Sequence, residues 1–419
     1  MTDLREPTEP VAAEADLAMD PGLVATSLPD YLRASFARIR AGDSGSLPVI
    51  AGLVLISILF QTLNSNFLTA GNLVNLLIQG APYMLLAMGQ IFPLLLGEID
   101  LSIGSVSGVG GSILAVLLVY QGWPLATAIL AAVSTGLAIG VFYGLLFTRF
   151  GVPSFVMTLA GLLAFLGLQL TVLGSRGTVN LPVNSWLVDF ANFKFLPPAV
   201  SYVVAALAGV AYFVTRAAMI RRRSAANLST PSIRSVAIRA VLIAGAIAAG
   251  AYYLNIDRGI GWMPLLWILT VVVVDLLLRR TTWGRHVFAV GGNEEAARRS
   301  GIGVERIYLS VFALCSGFAA LGGVLAAARL QSVAQSSGGT DTNLMAIAAA
   351  VIGGTSLFGG RGSAYAALFG MLVLQSITSG LNLIGVEAEV RYMVTGAVLL
   401  LAVTIDSLSR RARKSSGRG

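Results

Sequence analysis

Long apolar runs, separated by short polar breaks, fill the chain from about residue 48 to residue 408. Each run approaches the roughly 20 residues that a helix needs to cross a bilayer's hydrocarbon core. The pattern predicts spans near 48–67, 74–96, 102–120, 123–147, 155–174, 199–218, 237–254, 262–279, 306–328, 344–358, 363–385 and 391–408. Segment 344–358 is shorter and flanked by glycines, so it reads as re-entrant. The predicted fold is therefore all-α: a polytopic transmembrane helix bundle of about 10–12 spans with Gly-rich broken or re-entrant segments.

Residues 1–45 break this pattern. Asp and Glu outnumber Arg there, and Pro7, Pro10 and Pro21 punctuate an Ala-rich stretch. The segment reads as a disordered cytoplasmic tail, too acidic at its start for a signal peptide. Within it, Tyr31, Leu32, Phe36 and Ile39 alternate with Arg33, Arg38 and Arg40. Residues 29–41 thus fit a short basic helix on the membrane surface, or an ordinary solvated linker. The predicted organisation is a tail over 1–45, a transmembrane domain over 46–410, and a basic cytoplasmic tail over 411–419.

Composition agrees. Of 419 residues only 11% are charged, against about 25% in an average soluble domain. Hydrophobic residues make up 56%, and the mean hydropathy is +0.81. A soluble enzyme, a disordered scaffold and a disulfide scaffold are excluded. The net charge of +8 reads first as the positive-inside bias of cytoplasmic loops, not as nucleic-acid binding. Arginines cluster at 216–239, at 279–306 and after Ser409. Twelve crossings place both termini and all three clusters on the cytoplasmic side, with the 174–198 loop outside.

Candidate chemistry is sparse. Cys315 is the only cysteine and His286 the only histidine, so any site needing two of either is excluded. His286 follows Arg285 in a basic stretch and reads as a surface residue. Asp275 and Arg279, Glu387 and Arg391, and Asp406 and Arg410 each have i,i+4 spacing for a local ion pair. No run of buried acids suits a proton relay. Gly136, Gly140 and Gly144 have the small-xxx-small spacing of close helix packing. The sequon at 227–229 falls in a predicted cytoplasmic loop and reads as chance.

Three polar or Gly-rich elements stand out. Gly97-Glu98-Ile99-Asp100-Leu101-Ser102-Ile103-Gly104-Ser105 places two acids between apolar runs. Burying a carboxylate in a bilayer is costly unless it is paired or wet. Either Asp100 caps a helix starting at Leu101, or the segment is a broken helix lining a cavity; both can hold together. Next, the glycines from Gly353 to Gly362, around Thr355, break a helix and permit positive φ. No lysine follows in a P-loop context, and neither Lys194 nor Lys414 has one, so the chain supplies no Walker A site of its own. The third element reads as a short self-consistent helix. Asn293 caps it, and Glu294 and Glu295 sit at its positive end. Ala296 and Ala297 lie within it, Arg298 and Arg299 sit at its negative end, and Gly301 suits the left-handed stop. Such a helix is either a docking element or a solvated loop.

The segments GEIDLSIGS (97–105), VPSFVMTLAGLLAF (152–165), VGGNEEAARRSGI (290–302) and AIAAAVIGGTSLFGGRGS (346–363) resemble the permease subunits of bacterial ABC importers for monosaccharides, the ribose/xylose/galactose group. The resemblance spans about 48–410. Gly97-Glu98 and the extra pair of spans around the loop at 216–239 are similar to the xylose branch. The acidic tail is outside the family pattern. The resemblance implies a permease homodimer in the inner membrane, a separate ABC ATPase subunit and an extracytoplasmic sugar-binding protein. It implies no cofactor on this chain, with ATP bound by the partner, and no enzymatic activity here. It makes Asn293, Glu294, Glu295, Ala296, Ala297, Arg298 and Gly301 an ATPase coupling helix. Glu98, Asp100, Ser102, Ser105, Gly353, Gly354 and Thr355 become candidates for pathway lining or gating. The expected cargo is a pentose such as xylose. The main rival is an ion-coupled secondary transporter of a small polar solute; an intramembrane enzyme lacks any candidate triad.

Overall fold

The computed structural model describes residues 47–226 and 230–415. The 1–45 tail, the surface helix expected at 29–41, the sequon at 227–229 and residues 416–419 lie outside the described residues.

The described chain is almost wholly helical. Although the helix in the 344–358 segment stops at Ile352, every predicted span overlaps one of the helices. These are α1 (Leu47–Leu63), α2 (Ala70–Leu96), α3 (Ile103–Val119), α4 (Leu125–Phe150), α5 (Ser154–Leu173), the short α6 (Trp186–Asn192), α7 (Pro198–Ala225), α8 (Ile233–Asn255), α9 (Trp262–Arg280), α10 (Thr282–Gly292), α11 (Glu294–Arg299), α12 (Val304–Leu330), α13 (Thr340–Ile352), α14 (Ala364–Leu383) and α15 (Ala388–Ser415). Two short strands, β1 (Thr178–Asn180) and β2 (Ser332–Ala334), pair antiparallel with Val179 opposite Val333. Among the described residues, eight helices are long and apolar enough to cross a membrane; α1, α3 and α13 are apolar but shorter. At 1.5 Å per residue, α13 spans only about 20 Å, which suits the re-entrant reading. The last helix runs through the expected tail boundary at 410 as far as Ser415.

The helices fall into two units. The α7–α8 hairpin, within residues 196–260, is one. Its helices meet through small residues: a Cβ on Gly209 would stand 2.8 Å from the Ala244 methyl and 2.9 Å from the Ala240 carbonyl oxygen. Asn255 Nδ2 donates to Ser201 Oγ at 3.0 Å. At its root the Leu196 N–H donates to the Ile260 carbonyl at 2.8 Å.

The larger unit holds residues 46–195 and 261–411. Its inner helices are α2, α3, α12, α13 and α14, and its outer ones α4, α5 and α9. In the most apolar stretches, 83% of α2 is buried but only 28% of α4 and of α5. Exposed leucines and aromatics on the outer helices, such as Leu130, Phe142 and Leu163, form an apolar surface suited to lipid. The inner helix α2 carries polar residues and bonds them inside the protein. Ser379 Oγ donates to Asn72 Oδ1 at 3.0 Å, and Gln375 Nε2 to Gln79 Oε1 at 3.2 Å. Unpaired amides there would be costly.

The glycine spacing on α4 is used as expected. A Cβ on Gly136 would meet the Ser316 carbonyl oxygen at 2.5 Å, one on Gly140 the Phe312 carbonyl oxygen at 2.2 Å, and one on Gly144 the Leu309 Cα at 2.7 Å. The bare backbone of α4 therefore lies directly on α12. Phe147 and Tyr308 close the seam with ring centroids 4.4 Å apart.

The ion pairs divide. Arg279 Nε donates to Asp275 Oδ1 at 2.7 Å. The Glu387–Arg391 pair does not form: the guanidinium turns back to Asn382 Oδ1 instead. The side chains of Asp406 and Arg410 lie outside the described residues. His286 is exposed on α10. An antiparallel bridge between Phe195 and Gly261, with the Trp262 N–H donating to the Lys194 carbonyl at 2.9 Å, marks where the hairpin sequence is inserted.

Candidate functional site

The polar break after α2 begins with a glycine stop. Gly97 takes φ +83°, its N–H donates to the Leu94 carbonyl, and the Glu98 N–H donates to the Pro93 carbonyl, both at 3.0 Å. These bonds satisfy the last carbonyls of α2.

Asp100 does not cap a helix at Leu101. The helix α3 starts at Ile103, two residues later. The Asp100 carboxylate closes an Asx turn instead, accepting from the Ser102 N–H and the Ser102 hydroxyl at 2.7 Å each. Its other oxygen accepts from the Cys315 thiol of α12 at 3.4 Å. Tyr143 Oη of α4 donates to Ser102 Oγ at 2.8 Å. The Gln90 carboxamide pairs with both main-chain groups of Asp100, at 3.1 and 3.2 Å. Ser105 Oγ donates to the Ser102 carbonyl at 2.8 Å. Asp100, Ser102 and Ser105 are fully buried. Together they brace the break against α2, α4 and α12.

Glu98 is half-buried and accepts a hydrogen bond from the Ser154 hydroxyl at the start of α5. Burial pushes its carboxyl above the ordinary glutamate range; the Ser154 bond opposes this, and the Glu294 charge adds to it.

The second Gly-rich segment comes to the same place. After α13, the Gly354 N–H donates to the Val351 carbonyl at 2.9 Å and the Thr355 N–H to the Ala350 carbonyl at 3.0 Å, with Gly354 at φ +102°. A Cβ on Gly353 would stand 1.8 Å from the Ala366 carbonyl oxygen, so α13 and α14 touch backbone to backbone. Thr355 is buried, and its hydroxyl has no partner among the described residues. The loop then reaches α2: the Gly360 N–H donates to the Leu95 carbonyl at 2.8 Å.

The third element joins them. A Cβ on Gly291 would stand 1.8 Å from the Leu95 carbonyl oxygen, and one on Gly359 would stand 2.7 Å from the Gly291 oxygen and 2.9 Å from the Gly97 nitrogen. The short helix α11 follows directly. Asn293 Oδ1 accepts from the Ala296 N–H at 2.9 Å. Arg298 pairs with Glu294 at 2.8 Å and Arg299 with Glu295 at 2.5 Å, both on the exposed side. Ala297 is buried, and Gly301 ends the turn at φ +81°. Tyr308 Oη donates to Glu294 Oε2 at 3.3 Å. All four sequence motifs therefore meet at one end of the larger unit.

Toward the opposite end lies a cavity of about 230 Å³ between α2, α3, α12 and the 332–342 segment. Tyr83, Ser107, Ser332, Ser336, Ser337, Asp341 and Thr342 supply its polar lining. None of Glu98, Asp100, Ser102, Ser105, Gly353, Gly354 or Thr355 lines it. The sequence signal for this cavity is the small and polar run from Gln335 to Thr342 ahead of a short apolar helix; nothing in the pattern marks Tyr83, one residue inside a long apolar span. Among the described residues there is no group of three or more His, Cys, Asp or Glu that could hold a metal ion.

Comparison with known proteins bears on the same segments. The family profile described as "Branched-chain amino acid transport system / permease component" matches residues 72–403. The chain is 37% identical to Xylose transport system permease protein XylH of Escherichia coli (strain K12), covering 90% of this chain and 95% of that protein. It is 33% identical to Ribose import permease protein RbsC of the same strain, covering 86% and 92%. To Ribose import permease protein RbsC of Bacillus subtilis (strain 168) it is 32% identical, covering 85% and 90%. No solved structure matches the chain. Matching the family profile and these relatives over most of its length, this chain belongs to that family of transport-system permease components.

Proposed function

We propose that the chain is the membrane-spanning permease subunit of an ATP-binding-cassette importer that carries a monosaccharide, with a pentose such as xylose as first choice. The convergence of the two glycine-rich breaks with the capped helix α11 is the observation that carries this reading. Backbone contacts among Gly97, Gly291 and Gly359 can pass a displacement of α11 into the ends of α2 and α13. A separate ATPase subunit binds α11 and hydrolyses ATP; this chain performs no covalent chemistry and holds no cofactor. The break residues Glu98, Asp100, Ser102, Ser105, Gly353, Gly354 and Thr355 serve gating in this reading, not lining. An extracytoplasmic sugar-binding protein delivers cargo to the other end, and two permease copies form the path between them. Arg149, Arg285, Arg298 and Arg306 lie close in sequence to the junction residues Ser154, Gly291 and Gly301, which supports a cytoplasmic position for that end, and with it both termini, in the inner membrane.

The names of the xylose and ribose relatives support a sugar, whereas the family description names branched-chain amino acids. An ion-coupled secondary transporter is disfavoured because, among the described residues, Asp100 is the only charged side chain that is fully buried. Co-purification from native membranes tests the proposal. An ABC-type ATPase in near-equal amount, with ATP-dependent xylose uptake in vesicles, is the expected result. A chain that emerges alone and moves solute without ATP overturns it. Glu295→Arg reverses a charge on the exposed side of α11 and is expected to abolish ATPase binding while the membrane domain stays folded.

A further inference from the structure

The cavity between α2, α3 and α12 has a chemistry that its neighbours lack. Some polar groups around it are bonded within the protein, although Gln169 Oε1 and Asn343 Nδ2 have no partner among the described residues. Ser107 Oγ donates to the Gly104 carbonyl at 2.6 Å. Gln169 Nε2 donates to the carbonyls of Ala334 at 3.1 Å and Ser337 at 2.9 Å. Asn343 Oδ1 accepts the Gly104 N–H. These bonds fix the 334–343 turn on α3 so closely that a Cβ on Gly338 would stand 2.1 Å from the Gly104 carbonyl oxygen. The cavity wall is therefore preorganised.

By contrast, the side chains of Tyr83, Ser336, Asp341 and Thr342 make no hydrogen bond to protein among the described residues, and all four line the cavity. They offer one carboxylate and three hydroxyls. Pro82, Leu86 and Ala327 supply an apolar part of the wall. No lysine or arginine lines it. At about 30 Å³ per water, the volume holds roughly eight waters. That is room for a small solute and is below the range of drug-sized pockets.

A neutral polyol fits this set. Its hydroxyls can donate to Asp341 and exchange hydrogen bonds with Tyr83, Ser336 and Thr342, and its C–H face can lie on the Tyr83 ring and the apolar wall. A zwitterionic amino acid fits worse: Asp341 would take the ammonium, but its carboxylate would lack a counter-charge. We propose that this cavity is a binding site for a neutral monosaccharide within the permease, with Asp341 and Tyr83 as its specificity-determining residues. The inference rests on the importer reading. With few ligand groups, the site holds sugar weakly, as release to the far side requires.

The test uses the full complex of this chain, its ATPase and its binding protein in proteoliposomes, with xylose, ribose and leucine as probes. Asp341→Asn is expected to reduce xylose uptake about tenfold, with assembly and binding-protein-stimulated ATP hydrolysis unchanged. Tyr83→Phe is expected to change the xylose-to-ribose uptake ratio. If Asp341→Asn does not assemble, Thr342→Val supplies the same readout, with a loss of uptake expected. Wild-type xylose uptake matched by all the variants would overturn the site and leave the importer intact. A wild-type complex that moves leucine and no sugar would overturn both.

Discussion

The carbonyl oxygen of Leu95 lies 1.8 Å from where a Cβ on Gly291 would stand. The end of α2 and the end of α10 thus touch main chain to main chain, and no side chain longer than hydrogen fits between them. Gly291→Ala is expected to shift these backbones and cost about 1–3 kcal/mol, as overpacking does. The adjacent Gly292 has open space around its Cβ position, so Gly292→Ala should change stability by no more than about 0.5 kcal/mol. Thermal unfolding in detergent compares the two. Equal shifts would contradict the close contact.

The α4–α12 seam makes a similar contrast. Gly140→Ala would push a methyl to 2.2 Å from the Phe312 carbonyl oxygen, whereas Gly167 on α5 has nothing within 4 Å. The first substitution should lower the melting temperature clearly; the second should leave it unchanged or raise it, because alanine restricts the unfolded chain.

Asp100 holds three donors. Asp100→Ala strands the Ser102 N–H, the Ser102 hydroxyl and the Cys315 thiol in a buried space. Each stranded group costs about 1–3 kcal/mol, so both stability and transport should fall. Tyr143→Phe removes one bond to Ser102 and should cost only about 0.5–1.5 kcal/mol. An Asp100→Ala protein with unaltered melting and uptake would remove the bracing role.

Glu98 predicts a pH effect. Its folded carboxyl titrates above the ordinary glutamate value, with burial as the largest cause. Such a group contributes its stability fully below the unfolded value and loses it as pH rises through the folded one. Melting temperature should therefore decline across the window just above the ordinary glutamate range. In Glu98→Gln that decline should be absent, with Ser154 still able to bond the amide.

The spans were legible because each apolar run reports the bilayer's thickness, whatever the helix packs against. The Asn293 cap and the Gly136–Gly144 seam were legible because both follow from local spacing. The start of α3 was not: the Asp100 carboxylate is drawn toward Cys315, a partner far along the chain, and turns back on Ser102 before the helix begins. Arg391 likewise leaves Glu387 for Asn382. The meeting of Gly97, Gly291 and Gly359 had no side-chain signature, since main-chain contact between glycines leaves nothing in a hydropathy pattern. Tyr83 and Asp341 share a cavity only through tertiary packing.

The bridge between Phe195 and Gly261 has a consequence for how such a chain can be rebuilt. Because the two ends of the intervening helical hairpin are already paired strand-to-strand, with Trp262 bonded to Lys194 beside them, a tight turn could join them without moving either flank. The hairpin is thus a cassette: its loop and its arginines can be lengthened, exchanged or lost by evolution without disturbing the register of the flanking helices.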